Sequence, residues 1–170
     1  MQPRPVLSDA ATWLLDVLVR DADVWEFGSG GSTLWLAERA RSVISIEDDS
    51  RWYAAVVESL DALGLKADVR LVETPVLPDA ITDEGMFDVV FVDCLTQNER
   101  RRSVILGAQH VKPGGWLVAD DYDFRKVRLV VDELPSQDWD KAVLSGHKLH
   151  PVRHEVVATK TAFCFRRLEG

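Results

Sequence analysis

The chain has 170 residues, about one domain at roughly 150 residues per domain. Its 46% hydrophobic and 28% charged residues, with ten Gly and seven Pro, exclude collagen, a coiled coil and wholesale disorder. Twenty Lys plus Arg against 28 Asp plus Glu leave a net charge of −8, which argues against a nucleic-acid partner, because such binders normally carry a basic footprint.

A Pro-containing arm, Gln2–Leu7, precedes Ser8, which is suited to cap a first helix with Trp13, Leu14, Val17 and Leu18 on one face. Met1–Asp9 has no apolar signal-peptide core, and no apolar run approaches the ~20 residues of a membrane span. A cytoplasmic protein without a membrane partner is expected. Val24–Phe27 reads as a short strand, followed at once by Gly28-Ser29-Gly30-Gly31-Ser32-Thr33 and a helical stretch, Leu34–Arg41. The β-branched run Val43–Ile46 predicts a second strand, ending in Glu47-Asp48-Asp49. Ser50 is placed to cap a helix whose Trp52, Val56, Leu60 and Leu63 share an apolar face, with Gly64 as its stop. That spacing predicts Trp52 in the core.

Val69–Val72 predicts a third strand, and Glu73–Met86, with two Pro and a Gly, predicts a loop with one short turn. Phe87–Val92 is the clearest strand and ends at Asp93. Glu99–Val111 predicts a helix stopped by Pro113-Gly114-Gly115, and its run Arg100-Arg101-Arg102 reads as a solvated face. Trp116–Ala119 predicts a fifth strand ending at Asp120-Asp121. Asp123 is suited to cap a helix over Phe124–Leu134, whose Arg125, Lys126 and Arg128 can pair with the acids before it. In the tail, Ala142–Leu144, His147–Arg153 and Val156–Arg167 read as strands. Cys94 and Cys164 lack a CxxC partner and lie among apolar residues, which predicts two buried, reduced thiols. His147, His150 and His154 are spaced for a helical face in a strand-like tail, which argues against a metal triad.

Strands alternating with helices predict βαβ units and a parallel sheet, and strands apolar on both faces need helices on both. The closing hairpin adds an antiparallel strand. The expected fold is α/β, a doubly wound, mostly parallel sheet in one domain. It divides into an arm and helix (1–23), βα units (24–134) and a hairpin (135–170).

In such a sheet, ligands bind beyond the carboxyl ends of the strands. After the first strand, glycines let a ligand approach the backbone and the next helix offers free N–H groups. The third glycine of a dinucleotide fingerprint falls on Thr33, which weighs against a pyrophosphate site. Glu47, 19 residues past Gly28, is placed to accept both hydroxyls of a ribose.

Together, Glu26-Phe27-Gly28-Ser29-Gly30-Gly31-Ser32-Thr33, Ser45-Ile46-Glu47, Phe87-Asp88-Val89-Val90-Phe91-Val92-Asp93 and Val111-Lys112-Pro113-Gly114-Gly115 resemble a class I S-adenosylmethionine-dependent methyltransferase, over roughly residues 8 to 167. The resemblance implies a seven-stranded Rossmann-like sheet with an antiparallel last strand, and S-adenosyl-L-methionine as cofactor. It implies that Glu26 anchors the loop near the methionine amino group. The backbone of Gly28, Ser29, Gly30 and Gly31 would lie against methionine and ribose, and Glu47 would hold the ribose hydroxyls. Asp48 would border the adenine, with Glu73 and Thr74 as further candidates, and Asp93 would lie beside the methionine moiety or the acceptor.

Asp93, Asp120 and Asp121 can converge near the methyl donor, and carboxylates suit Mg²⁺ or Ca²⁺. This resembles the catechol O-methyltransferase type, in which an Asp after strand four and an Asp-Asn pair after strand five hold the metal. That type places a basic residue where this chain has Thr96. A metal-free site is therefore favoured, with Asp93 or Asp120 as general base or as the group orienting the nucleophile. The expected acceptor is a hydroxyl or an amine. A non-catalytic cofactor-binding module and an aminopropyl transferase are the alternatives. Selection of the acceptor falls to the arm, to Glu73–Met86, to the hairpin or to a second copy in a homo-oligomer.

Overall fold

A computed structural model of the chain describes residues 1–94, 96–149 and 155–168. The elements run α1 (Asp9–Leu18), β1 (Asp23–Phe27), α2 (Gly31–Ala37), β2 (Ser42–Glu47), α3 (Ser50–Leu63), β3 (Asp68–Leu71), a 3-10 segment (Thr74–Ile81), β4 (Phe87–Val92), α4 (Gln97–Gln109), β5 (Val111–Ala119), α5 (Arg125–Asp132), β6 (Trp139–Leu149) and β7 (Val156–Arg166). All seven strands form one sheet in the order β3-β2-β1-β4-β5-β7-β6. Strands β1 to β5 pair in parallel, and β7 runs antiparallel to both β5 and β6. The chain steps outward from β1 to β3 and then returns to β4, so the strand order reverses between β1 and β4. That switch point opens the crevice a ligand can use.

Side chains alternate across the strands, and both faces are covered. Trp25, Phe27, Val90 and Val92 pack on one face against Leu77 and Ile81 of the 3-10 segment and Val127, Val130 and Val131 of α5. Val24, Val89, Phe91 and Phe163 pack on the other, against Ala11 and Leu15 of α1 and Trp35 and Leu36 of α2. Two-sided burial explains why the strands read as unbroken apolar runs.

Several local expectations are revised. The buried stripe of α1 is Ala11, Leu15 and the adjoining Val19, spaced by four, while Trp13 is 70% exposed and Val17 also faces outward. Asp49, rather than Ser50, caps α3, accepting from the backbone N–H groups of Arg51 and Trp52; its carboxylate has two acceptor oxygens near the positive end of the helix. Gly64 ends that helix in the left-handed conformation, as its sequence indicates. Thr74–Ile81 forms a 3-10 segment that buries Leu77 and Ile81, where a loop is expected. Helix α4 starts earlier than expected, with Thr96 and Glu99 forming a capping box, and it stops at Gln109. Val111 already belongs to β5, which runs through Pro113-Gly114-Gly115. Asp123 does not cap α5: its carboxylate accepts from the Lys160 backbone N–H and ties the turn to β7.

Cys94 and Cys164 are free and buried, and burial pushes both thiols up to about 12. Of the strand expected over His147–Arg153, residues 147–149 form the end of the longer β6 and the rest lies outside the described residues, as do His150 and His154 and with them the histidine triad. Among the described residues, no helix is long and apolar enough to cross a membrane.

Candidate functional site

Backbone hydrogen bonds bring the strand ends together. Gly28 N donates to Ile46 O (2.9 Å), Asp93 N to Phe27 O (2.9 Å) and Asp120 N to Val92 O (3.1 Å). The exits of β1 and β4 meet at Gly28, where φ is +91° and a Cβ would lie 2.7 Å from Asp93 O and 2.8 Å from Cys94 Cα. Only glycine lets the exits of β1 and β4 touch. At Gly31 a Cβ would lie 2.5 Å from Gln2 O and 2.7 Å from Arg4 O, so the N-terminal arm crosses the start of α2.

Glu26 points from β1 to the α2 side and is fully buried. Its Oε2 accepts from Thr33 Oγ1 and Ser45 Oγ, both at 2.6 Å, and Gly30 N donates to Thr33 Oγ1 at 2.8 Å. Glu26 thus anchors the glycine loop through a hydroxyl relay. Burial raises its pKa to about 7 against the opposing hydroxyls of Ser32, Ser45 and Thr33. Among the described residues, Oε1 has no hydrogen-bond partner.

Glu47 ends β2 under the same loop. Oε2 accepts from Ser29 N (3.0 Å) and Ser29 Oγ (2.9 Å), and Oε1 from Asp48 N (3.0 Å) and Asp49 N (2.9 Å). Four donors fill the acceptor capacity of a carboxylate. All are amides or a hydroxyl, which is a donor set that a pair of ligand hydroxyls can share or replace. Burial raises the Glu47 pKa, and these hydrogen bonds oppose the rise. Asp48 is half-buried beside it, while Glu73 and Thr74 are exposed where β3 gives way to the 3-10 segment.

Trp52 does not join the core. It is 47% exposed, its Nε1 donates to Ser29 O at 2.6 Å, and that atom would lie 3.5 Å from a Cβ at Gly30. An indole with a polar handle holds the loop from outside instead of filling the interior. The spacing that suggested a core position is shared by the edge of a helix face, and only the position of the loop separates the two.

Across the switch point, Asp93, Asp120 and Asp121 do converge: one carboxylate oxygen from each lies within 4.8 Å of the others. Among the described residues, two cations accompany them. Lys148 Nζ lies 2.6 Å from Asp120 Oδ2 and 2.7 Å from Asp121 Oδ1. Arg100 Nη2 lies 2.9 Å from Asp93 Oδ1 and 3.2 Å from Asp121 Oδ2. Thr161 Oγ1 donates to Asp120 Oδ1 at 2.9 Å. Burial, reinforced by Asp93 and Asp121, raises the Asp120 pKa to about 7. Burial also raises that of Asp93, against the pull of Arg100. Desolvation works against the charge on Lys148, but Asp120 and Asp121 outweigh it and hold the ammonium above the ordinary lysine range. A divalent metal would have to displace that ammonium to reach Asp120 and Asp121 together, so the residues as arranged do not fit one.

Two expectations fail at this cluster. Arg100 is buried and does not belong to a solvated face. It shares its side of α4 with Ser103, Val104 and Gly107, a helical spacing that the three consecutive arginines mask in the sequence. Charge partners for Asp120 and Asp121 come from Lys148 of β6 and, for Asp121, also from Arg100 of α4, while Lys126 donates instead to Asn98 Oδ1. Lys148 had no usable sequence signal, because its place follows from the register of the hairpin.

The sequence model of a family described as a methyltransferase domain matches residues 25–122. Solved structures of similar fold include an O-methyltransferase from Bacillus cereus in complex with SAH (16% identity, 95% of this chain and 82% of that one, TM-score 0.78). TomG, an O-methyltransferase from Streptomyces achromogenes involved in tomaymycin synthesis and solved with SAM, is similar too (17% identity, 95% and 81%, TM-score 0.77). So is precorrin 8W decarboxylase from Methanobacterium thermoautotrophicum (20% identity, 98% and 94%, TM-score 0.65). A comparison with curated proteins finds no match. The family match covers well over half of the chain and spans both the glycine loop and the strand-five acids, and the protein belongs to the methyltransferase-domain family, as a class I S-adenosylmethionine-dependent methyltransferase.

Proposed function

We propose that the protein methylates a hydroxyl or amine acceptor, with Glu47 as the ribose anchor and Asp93 as the group that takes the acceptor's proton. The observation that carries this reading is the donor set on Glu47, made entirely of amides and one hydroxyl. A ribose diol can take the place of the Ser29 hydroxyl without moving a charge. The backbone of Gly28, Ser29, Gly30 and Gly31 borders the methionine and ribose, Glu26 holds that loop in place, and Asp48 flanks the adenine.

S-adenosylmethionine supplies an electrophilic methyl group on a sulfonium. The chain's own work is positioning and proton handling. Asp93 is 21% exposed and next to the glycine loop, so it can face an acceptor. Burial raises its pKa, which favours the protonated form and suits a group that takes up a proton from an acceptor. Asp120 is fully buried and acts through Lys148 and Thr161. Two free, buried thiols and the net −8 support a cytoplasmic setting and an acceptor other than nucleic acid.

Calorimetric titration with S-adenosylmethionine and its demethylated product tests the cofactor reading. Both are expected to bind the native chain and to lose most of their affinity to Glu47→Ala. Absence of binding to the native chain, or an unchanged affinity in the variant, refutes the assignment. For proton handling, Asp93→Asn is expected to lower kcat without weakening cofactor binding.

A further inference from the structure

Lys148 is on β6, the edge strand of the sheet, yet its side chain is only 11% exposed. Its ammonium is within hydrogen-bond distance of both Asp120 and Asp121. On the opposite flank the Arg100 guanidinium reaches Asp93 and Asp121. Asp121 therefore bridges the two cations, and it does so from a left-handed backbone conformation, φ +52°, that a non-glycine residue seldom adopts.

Arg100 adds an independent observation. Its side chain is more than nine-tenths buried, and among the described residues its Nε and Nη1 have no hydrogen-bond partner. A guanidinium left so poorly paired contributes its charge to the cluster more than its hydrogen bonds. Two monovalent cations bring the same charge of +2 that one divalent ion would bring. The carboxylates are close enough to serve such an ion as oxygen ligands. An ammonium bonded to two of them excludes it by like-charge repulsion and by occupying the acceptor oxygens.

We infer that Lys148 and Arg100 stand in for a divalent metal, so that the chain carries its own counter-charge for Asp93, Asp120 and Asp121, and that removing the Lys148 charge uncovers a metal site there. Lys148 is a positioning residue in this scheme, fixing Asp120 and Asp121 beside Asp93. The consequence for catalysis, methyl transfer that needs no metal, rests on the proposed function. The consequence for ion binding does not.

Mn²⁺ binding to the full chain, followed by calorimetry and by the electron paramagnetic resonance of the ion, tests the inference. The native chain and Lys148→Arg are expected to leave Mn²⁺ free. Lys148→Met is expected to bind it at least about tenfold more tightly than the native chain, and to recover part of any loss in Tm when Mn²⁺ is added. Asp121→Asn in the Lys148→Met background is expected to abolish both effects. Mn²⁺ bound by the native chain and lost in Asp121→Asn overturns the inference, whether or not Lys148→Met folds. So does a folded Lys148→Met that binds no ion. A parallel titration of the native chain with S-adenosylmethionine separates the two claims. Cofactor binding together with native Mn²⁺ binding removes only the present inference, and absence of both removes only the proposed function.

Discussion

Glu26 and Glu47 on one side of the switch point, and Asp93, Asp120 and Asp121 on the other, are all acids near strand ends, but they are satisfied in opposite ways. The two glutamates take their hydrogen bonds from hydroxyls and backbone amides. The three aspartates take theirs largely from a buried ammonium and guanidinium. Hydroxyls can be exchanged for the hydroxyls of a ligand, which is what the proposed cofactor role asks of the first side. A buried ion pair cannot be opened so cheaply, because each ion separated in a dry site loses both its partner and its solvation. The second side is therefore held fixed, as the proposed role beside an acceptor asks of it.

Breaking the rigid side is expected to give the largest effect. Arg100→Met leaves Asp93 and Asp121 without their guanidinium and is expected to cost about 3–5 kcal/mol in urea unfolding. Arg101→Met, one residue along on the exposed face, is expected to change stability by less than about 0.5 kcal/mol. Equal effects would show that Arg100 gains nothing from burial.

The hydroxyl-satisfied side makes a pH prediction of nearly that size. The Glu26 pKa is about 7 in the folded chain, against 4.5 for an ordinary solvated glutamate. Between those values the folded chain holds a proton that the unfolded chain has released, so stability falls as pH rises from 4.5 to 7 and is then level. The fall attributable to Glu26 is about 3 kcal/mol. Glu26→Gln is expected to lose that slope when unfolding is measured across the range, and a native-like slope in the variant would reject the role of burial.

Glu47→Gln keeps the shape but removes the charge that strengthens hydrogen bonds from ligand hydroxyls. It is expected to weaken S-adenosylmethionine binding about 10- to 100-fold by calorimetry. Ser29→Ala removes only an exchangeable hydroxyl and is expected to shift affinity much less. If the two variants lose equally, the exchange between Ser29 and the ribose is wrong. Trp52→Phe removes the single indole hydrogen bond to Ser29 O and is expected to give the smallest change, about 1 kcal/mol in cofactor affinity.

The cofactor side was readable because its parts are close in sequence and each obeys a local rule. Glycines follow a strand, an acid ends the next strand, and the residues that satisfy Glu26 and Glu47 lie within the same βαβ unit. Trp52 was misplaced because helical spacing assigns a face and not its neighbour. Asp93, Asp120 and Asp121 were also legible as strand-end acids. Their cations were not: the run Arg100-Arg101-Arg102 hid the one arginine on the buried face of α4, and Lys148 is 27 residues beyond Asp121.

By itself, then, the sequence determined the alternation of strands and helices, the two-sided burial of the sheet and the identity of the acids at its carboxyl edge. Those features depend on periodicity and on turn chemistry, which act over a few residues. Tertiary structure alone decided which charges answer those acids. The antiparallel pairing of β7 between β5 and β6 sets the register that carries Lys148 to Asp120, and the packing of α4 on the sheet buries Arg100 against Asp93. Electrostatic partnership depends on distance in space, and no local pattern encodes that distance.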